Sequence, residues 1–516
     1  MSCVPSQEMA TLRVQIGENV VNPNGTGVAQ RVHMRCRVHV WLLLALFAST
    51  ACATNPVTGK RQMSLLSEAE ELAIGQQMDT EIRREMGVYD DASLQRYVSD
   101  IGEQLARRSH RPNLPWSFTI VDSPAINAFA LPGGYIYLTR GIMAYLDDES
   151  ELAGVLGHEI GHVTARHAAQ AYTRQAQIGV GLAILGIFVP AAQPFSDLGA
   201  AGLSVLFLRH DRNQELEADR LGVEYGSSIG YDPSGVPRFL ATLARISALS
   251  ERGIPNWLST HPDPGSRVVK AQPIAGQFAS ADAKTVNRDQ YLERINGMVF
   301  GDSPKDGIVR GSEFVHPLLR IGIKFPDGWE LTNTPDAVMA QEPGTQHFMV
   351  LQEVERQPGP GNRSIADIAV SAMRRAGYTP VDGTIVDING NQAHVGTYRG
   401  NARDVGRVVM RAAHIQIGRQ LYVVAGFAPE KEFDVVDRDI KPALESFRQL
   451  SPQEASRIQP NRLQFYVVQK GDSWQSIAAR QSKSVVNAAT LAIMNDREVH
   501  VQPEPGMRIK IVVAGN

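Results

Sequence analysis

The chain has 516 residues, of which 43% are hydrophobic and 20% are charged, and its formal net charge is −3. This near-neutral charge gives no sign of a nucleic-acid partner, and the length suffices for two or three domains. The cysteines are Cys3, Cys36 and Cys52. A chain cleaved before Cys52 has no cysteine pair, which excludes a disulfide framework and a cysteine-ligated metal.

The first predicted element is an export signal that ends at Cys52. Two arginines precede the apolar run of residues 41–48, and small residues lead from there to the cysteine. This order is typical of signal peptides. The segment resembles a bacterial lipoprotein signal, which implies a lipid on Cys52 and a place on the periplasmic face of the outer membrane. An ordinary cleavable signal is the alternative. Residues 1–52 are therefore set apart from the mature chain.

The next predicted element is an amphipathic helix that carries the most specific motif in the chain. Asp148 and Glu151 are spaced as a capping box, and apolar residues follow at helical spacing. His158-Glu159-Ile160-Gly161-His162 then spells H-E-x-x-H. Residues i and i+4 share a helix face, so both imidazoles reach one metal ion, and Glu159 can accept a proton from water there. The structural alternative is a buried helix with two hydrogen-bonded histidines.

A hydrolytic zinc site needs three protein ligands and one open position, so a third ligand must come from elsewhere. His167 would point roughly 140–180° away from the H-E-x-x-H face of a straight helix, which favours a surface or second-layer position. Glu215 and Asp219 are four residues apart and share a face, whereas Glu217 lies about 200° round from Glu215. We predict that Glu215 is the third ligand and that Asp219 fixes the tautomer of a ligating histidine.

The H-E-I-G-H motif followed by R-N-Q-E-L-E-A-D resembles the gluzincin family of zinc metallopeptidases that includes HtpX, the CAAX prenyl endopeptidase and BepA. The family pattern maps onto His158, Glu159, His162, Glu215 and Asp219. The resemblance covers roughly half of the chain. It implies one Zn²⁺ per chain and hydrolysis of peptide bonds, with Glu159 as the general base.

Two further segments fit this resemblance. Residues 127–137 look like the strand that the family places along its cleft, where an extended polypeptide can add as a further strand. An ordinary core strand with a glycine turn is the alternative. Thr260-His261-Pro262 resembles a motif whose histidine approaches the zinc from the opposite wall. His261 or Arg212 would then stabilise the oxyanion; alternatively, His261 is structural, or is a fourth zinc ligand that holds the enzyme latent.

Two apolar runs, residues 178–189 and 198–208, lie between the predicted ligand-bearing helices. Each is shorter than the roughly 20 apolar residues that cross a bilayer. We expect a hairpin or lid there rather than a membrane span, although HtpX and the prenyl endopeptidase are embedded in membranes.

Downstream of a peptidase domain over residues 53–275, the sequence predicts a polar linker over 276–312 and an α+β domain over 313–452. Short alternating strands, an Asn389-Gly390 hairpin signal and helical stretches near 364–376 and 433–449 support this domain. It is faintly similar to PsbP-type domains and adds no catalytic constellation.

The tail over residues 463–516 resembles a LysM module. The resemblance rests on the segment from Tyr466 to Ala478, on Asn495 and on the Pro505-Gly506 turn. The expected order is strand, helix, helix, strand. Because LysM modules bind N-acetylglucosamine polymers, the tail would tether the enzyme to peptidoglycan; a structural or protein-docking role is the alternative.

Together these elements predict an α+β multidomain protein, with a mainly helical zincin-type domain, an α+β middle domain and a small βααβ module. The favoured function is a zinc endopeptidase of the bacterial cell envelope whose partners are polypeptides, in particular unfolded outer-membrane proteins. A non-catalytic, peptidoglycan-associated adaptor or chaperone-like lipoprotein is the alternative, and the intact Glu159 argues against it. Cleavage of peptidoglycan cross-links is a third hypothesis, but an edge-strand cleft suits extended polypeptides better.

Overall fold

The computed structural model describes residues 52–184, 210–249, 257, 260–354, 363–402, 405–483 and 485–515. Helices and several sheets make up this part of the chain, so the predicted α+β multidomain class is confirmed. No helix within it is long and apolar enough to cross a membrane. The export signal before Cys52 and most of the two apolar runs lie outside the described residues.

The peptidase half, residues 52–300, is named after the predicted peptidase domain that it contains, and it begins with a small hairpin, two helices and a three-stranded sheet. Its first elements are β1 (Cys52–Thr54), β2 (Arg61–Met63), α1 (Glu68–Glu85), α2 (Ala92–Arg107), β3 (Ser117–Val121), β4 (Ala128–Leu131), β5 (Tyr135–Thr139) and α3 (Arg140–Tyr145). The sheet has the order β3-β5-β4, and β4 pairs antiparallel with β5. The predicted cleft segment is therefore a hairpin whose first strand lies at the edge of the described sheet.

Helices that follow the sheet carry the predicted site. They are α4 (Glu149–Thr164), α5 (His167–Ile184), α6 (Arg212–Ser228), α7 (Gly235–Leu249), α8 (Pro264–Phe278) and α9 (Arg288–Ile295). Glycines let α4 and α6 approach closely: a Cβ on Gly157 would lie 3.0 Å from Gly222 Cα, and one on Gly222 would lie 3.0 Å from Gly154 O. A larger side chain there would force the two helices apart.

The predicted helix with H-E-x-x-H is confirmed as α4. Of the two hydrogen bonds of the predicted capping box, one is present. Asp148 accepts a hydrogen bond from the backbone N–H of Glu151 at 3.0 Å. The Glu151 carboxylate, however, accepts from the N–H of Asp147 at 2.8 Å and not from that of Asp148. Arg238 contacts both Asp148, at 2.5 Å, and Glu151, at 3.4 Å, so one cation serves both carboxylates.

Residues 276–312 are not the polar linker that the sequence predicts. They contain α9 and two short strands, β6 (Val299–Phe300) and β7 (Ile308–Arg310). Tyr291, Leu292 and Ile295 of α9 are buried in the core of the peptidase half. These three apolar residues have helical spacing, but polar residues surround them. The segment therefore has the overall polar composition of a linker.

The middle domain is built on a large antiparallel sheet. Its elements are β8 (Glu313–His316), β9 (Ile321–Lys324), β10 (Glu330–Asn333), β11 (Ala337–Gln341), β12 (Phe348–Glu353), α10 (Ile365–Arg375), β13 (Thr379–Ile388), β14 (Asn391–Ala402), β15 (Gly406–Ile417), β16 (Gln420–Pro429), α11 (Phe433–Glu445) and β17 (Arg448–Gln449). Seven strands have the order β10-β11-β12-β16-β15-β14-β13. The predicted hairpin and both predicted helices are confirmed. Asn389 and Gly390 both have positive φ, as a two-residue turn of this kind requires.

His347 joins two parts of the middle domain through two carboxylates. Its Nδ1 lies 2.5 Å from Glu342 Oε2 and its Nε2 lies 2.6 Å from Glu432 Oε2. Although burial opposes the effect, these carboxylates raise the pKa of His347. The contribution to stability is therefore complete below the unfolded pKa of about 6.5 and is lost as pH rises through the folded pKa. We expect wild type to exceed a His347→Gln variant in Tm by more at about pH 6 than at about pH 8. The same Tm difference between the two proteins at both pH values would contradict the prediction.

The C-terminal residues have the predicted order of strand, helix, helix, strand. α12 (Pro452–Arg457) is followed by β18 (Asn461–Val467), α13 (Trp474–Arg480), α14 (Ala488–Met494) and β19 (Arg508–Val513). β18 pairs antiparallel with β19 and also with β6 of the peptidase half. The C-terminal module and the peptidase half share one hydrophobic core. The LysM identity of the module stays a prediction.

A fully buried lysine fixes this module to the start of α4. Lys510 Nζ donates to the carbonyl of Leu146 at 2.5 Å and lies 3.7 Å from Asp147 Oδ1. Arg288 contacts the same carboxylate at 2.7 Å. Leu146 and Asp147 directly precede the N-cap of α4, so the C-terminal module supports the helix that carries H-E-x-x-H.

Candidate metal centre and active site

α4 and α6 bring the three predicted ligands together. The Nε2 atoms of His158 and His162 are 3.0 Å apart. Glu215 Oε2 lies 3.6 Å from His158 Nε2, and Glu215 Oε1 lies 3.5 Å from His162 Nε2. All three side chains are buried. Residues 53 positions apart in the sequence thus meet because the two helices pack against each other.

These separations fit a tetrahedral metal ion. Bonds of about 2.0–2.1 Å from zinc to nitrogen or oxygen place tetrahedral ligand atoms about 3.3 Å from one another. The observed separations of 3.0, 3.5 and 3.6 Å scatter around that value. Two imidazole nitrogens and a carboxylate are also the donor set of many catalytic zinc sites. The residues present therefore suit one divalent cation.

His261 lies beside the cluster that His158, His162 and Glu215 form. Its Nδ1 is 3.1 Å from Glu215 Oε1 and 3.4 Å from His158 Nε2. Its other nitrogen, Nε2, lies 3.7 Å from Glu159 Oε1. The ring stacks on Trp257 with centroids 4.5 Å apart. His261 thus offers a fourth nitrogen to the position that His158, His162 and Glu215 leave open.

The sequence analysis missed His210, whose ring stacks on that of His162 with centroids 3.9 Å apart. It also missed Arg267. Its Nε and Nη2 donate to the two oxygens of Asp219 at 2.8 and 2.5 Å, and its Nη1 lies 2.6 Å from Glu215 Oε2. Asp219 Oδ1 lies 3.0 Å from His158 Nδ1. Burial opposes ionisation of Asp219, but Arg267 lowers the pKa of its carboxyl to about 2. The one signal in the sequence is the position of Arg267 shortly after His261, at the start of α8.

Burial also sets the protonation of the other groups. It lowers the pKa of His158 and of His162, and it lowers that of His261 to about 3. Neutral imidazoles have the free lone pairs that metal binding requires. Burial raises the pKa of Glu159 well above its usual range, and the neighbouring Glu215 adds to this rise.

The structure does not bring Arg212 into the cluster. Its side chain is 79% exposed and its Nη2 lies 3.7 Å from Asp263 Oδ2. Arg212 is the first residue of α6, where its side chain is turned to solvent. This geometry gives no support to the predicted role of Arg212 as an oxyanion donor.

A cavity opens beside the cluster. Glu159, His162 and His261 line it together with Phe129 and Leu131 of β4. β4 is the edge strand of its sheet among the described residues. An extended polypeptide that pairs with an edge strand presents its backbone to neighbouring groups, which here include the carboxyl of Glu159.

Residues 92–275 match peptidase family M48, a span that contains every residue of the cluster. They form an M48 peptidase domain. The gluzincin resemblance seen in the sequence is thereby confirmed for this domain, and membership of a metallopeptidase family implies a metal in the His/Glu cluster.

Sequence similarity to known proteins extends beyond the M48 domain. The beta-barrel assembly-enhancing protease of Escherichia coli (strain K12) is 28% identical over 370 residues, which are 70% of this chain and 71% of that protein. The protein of the same name from Yersinia pestis is 34% identical over 48% of this chain and 52% of its own length. A mitochondrial metalloendopeptidase OMA1 of Arabidopsis thaliana is 32% identical over half of each chain. The chain thus spans about half the length of two of these relatives.

Among solved structures, the chain matches the PsbP protein of Synechocystis sp. PCC 6803. The TM-score is 0.22 and the identity is 14%, over 29% of this chain and 98% of that one. A TM-score this low does not establish a shared fold, so the PsbP-type identity of the middle domain stays a prediction.

Proposed function

We propose that the chain is a zinc-dependent endopeptidase of the bacterial cell envelope that hydrolyses peptide bonds in unfolded or misassembled envelope proteins. The observation that carries this proposal is the convergence of His158, His162 and Glu215 next to Glu159. Glu159 is buried, and its Oε1 has no hydrogen-bond partner among the described residues. Such a group costs stability, and a non-catalytic adaptor has no use for it.

His158, His162 and Glu215 would hold one zinc ion per chain. Bound zinc supplies a Lewis acid, which makes water more acidic and polarises the scissile carbonyl. Asp219 Oδ1 lies 3.0 Å from His158 Nδ1, and a proton on that nitrogen would leave the lone pair of His158 Nε2 facing the cluster. Arg267 in turn holds Asp219 in its ionised form.

Glu159 acts first as a general base and then as a general acid. Its carboxylate takes a proton from the water that attacks the scissile carbonyl carbon. It gives that proton to the leaving nitrogen as the C–N bond breaks. The raised pKa of Glu159 favours the first transfer, because a more basic carboxylate takes a proton from water more readily.

The substrate would lie along β4, in the cavity that Phe129 and Leu131 line. Main-chain pairing to an edge strand is tolerant of sequence and requires an extended segment. Unfolded polypeptides meet this requirement, and folded domains do not. The E. coli and Y. pestis relatives are named beta-barrel assembly-enhancing protease, and from this name we propose outer-membrane β-barrel proteins as the substrate class.

A lipid on Cys52 would anchor the enzyme to the outer membrane. The hairpin that follows is held to the peptidase domain, because Asn55 Nδ2 donates to the carbonyl of Ala165 at 3.2 Å. The catalytic cleft would therefore stay close to the membrane surface. The C-terminal module would add a contact to peptidoglycan.

His261 is proposed as a fourth ligand that keeps the resting enzyme latent and gives way to substrate. We therefore expect His261→Ala to raise the rate of β-casein cleavage several-fold while one zinc stays bound. A His261→Gln variant, which keeps a polar side chain of similar reach, should show a smaller rise. A fall in kcat with unchanged KM would instead assign His261 to oxyanion stabilisation and would contradict latency.

The proposed function is tested with the purified chain that begins at Cys52. We expect it to cleave β-casein and a urea-unfolded outer-membrane β-barrel protein, but not the same barrel folded in detergent. A chelator should abolish cleavage, and a stoichiometric addition of Zn²⁺ should restore it. Cleavage that survives the chelator, or no cleavage by either wild type or His261→Ala, would contradict the proposal.

A further inference from the structure

His167 lies beside His162, contrary to its expected position on a straight helix. α4 ends at Thr164, and the chain turns through Arg166, which has a φ of +59°. Arg166 is held in this left-handed conformation by contacts to Glu71 Oε1 at 2.7 Å and to the carbonyl of Leu66 at 2.8 Å. This break reorients the first residue of α5. The sequence left a surface and a second-layer position open for His167, and the turn at Arg166 leads to the buried one.

His167 connects His162 to a carboxylate. Its Nδ1 lies 2.9 Å from His162 Nδ1, on the side of that ring opposite the cluster. Its Nε2 lies 3.2 Å from Glu217 Oε2. The His167 side chain is fully buried, and that of Glu217 is 26% exposed. Three side chains from α4, α5 and α6 thus form one continuous chain of polar contacts.

The positions of the protons in this chain follow from the donor and acceptor capacity of each group. An ionised carboxylate only accepts, so His167 Nε2 carries the proton of the bond to Glu217. A neutral His167 then has a lone pair on Nδ1 and must accept from His162 Nδ1–H. The lone pair of His162 is therefore on Nε2, which faces His158 Nε2 at 3.0 Å.

We propose that His167 and Glu217 are positioning residues that fix the tautomer and ring orientation of His162 for metal binding. This inference rests on the proposed function, because it takes His162 Nε2 as a zinc ligand. Asp219 contacts His158 directly, at 3.0 Å. Each histidine ligand is thus linked to a carboxylate on the side away from the cluster. His158 contacts Asp219 directly, whereas His162 contacts Glu217 through His167, an arrangement called the relay below.

The test measures zinc affinity in variants of the relay. His167→Phe keeps an aromatic ring but removes both nitrogens, and we expect zinc affinity to fall by about 10–100-fold. His167→Asn keeps a short side-chain oxygen that can accept from His162 Nδ1–H, so it should recover most of this loss. Glu217→Ala should give a smaller loss than His167→Phe. Glu224→Ala is the matched control, because Glu224 is on the same helix and pairs with Arg220 instead.

A second readout separates positioning from general damage to the fold. In ¹⁵N-histidine NMR spectra of the zinc-loaded wild type, His162 should carry its proton on Nδ1. Glu217→Ala has a partly exposed site and should fold even if His167→Phe does not. Equal zinc affinity in wild type and Glu217→Ala, or an Nε2–H tautomer for His162, would overturn the relay.

The outcomes also distinguish this inference from the function on which it rests. A wild type that binds no zinc contradicts the proposed function. A wild type that binds one zinc, with variants that bind it equally well, contradicts the relay alone. Binding of a second zinc that depends on His167 would also overturn the relay, because His162, His167 and His210 are close enough to hold an ion themselves.

Discussion

Replacing Glu159 by glutamine is expected to lower kcat for β-casein cleavage by about 10²–10⁴-fold, the usual contribution of a general acid–base group. Glutamine has nearly the same shape but cannot accept the proton of the attacking water. Zinc content should stay at one per chain, because His158, His162 and Glu215 are unchanged. Their Nε2 and Oε atoms converge on a point without help from the Glu159 side chain.

The measurement pairs metal analysis with steady-state kinetics on the same preparations. Glu224→Gln serves as the control, since Glu224 lies outside the cavity and pairs with Arg220 on the surface of α6. It should retain wild-type kcat and zinc content. A Glu159→Gln variant that keeps more than about a tenth of wild-type kcat would contradict the assigned role.

Replacing Lys510 by methionine is expected to destabilise the whole peptidase half. The change removes the donor to the carbonyl of Leu146 and one of the cations beside Asp147. Breaking a buried ion pair by removing one partner costs about 3–5 kcal/mol. Because Arg288 still neutralises Asp147, we expect the lower end of that range.

This prediction is checked by urea unfolding of the zinc-loaded chain. Lys470→Met is the matched control, because Lys470 is exposed in the same module and should change stability little. Loss of zinc on Lys510→Met would show that the module supports α4. A change of less than about 0.5 kcal/mol, the range of ordinary surface substitutions, would mean that the module is only loosely attached.

The sequence predicted the parts of the site that follow from helical periodicity. His158 and His162 share a face because they are four residues apart, and the same spacing places Glu215 and Asp219 together. It also predicted the Asn389-Gly390 hairpin and the two helices of the middle domain. These features are local, so a short window of residues determines them.

Features that depend on distant contacts could not be predicted in this way. His167 reaches His162 only because the chain turns at Arg166, whose left-handed backbone depends on Glu71, 95 residues away. Arg267 meets Asp219 across 48 residues. Pairing of β18 with β6 likewise joins the C-terminal module to a segment that reads as a linker. No local pattern marks such contacts.

We propose that the cluster on α4 and α6 binds one zinc ion and uses it with Glu159 to hydrolyse peptide bonds. The most direct test titrates the metal-free chain with Zn²⁺ while following cleavage of unfolded β-casein. Activity should rise linearly and level off at one equivalent of zinc. Glu159→Gln should bind the same equivalent with almost no cleavage. Cleavage by the metal-free protein, or saturation of zinc binding without cleavage in both wild type and His261→Ala, would contradict the claim.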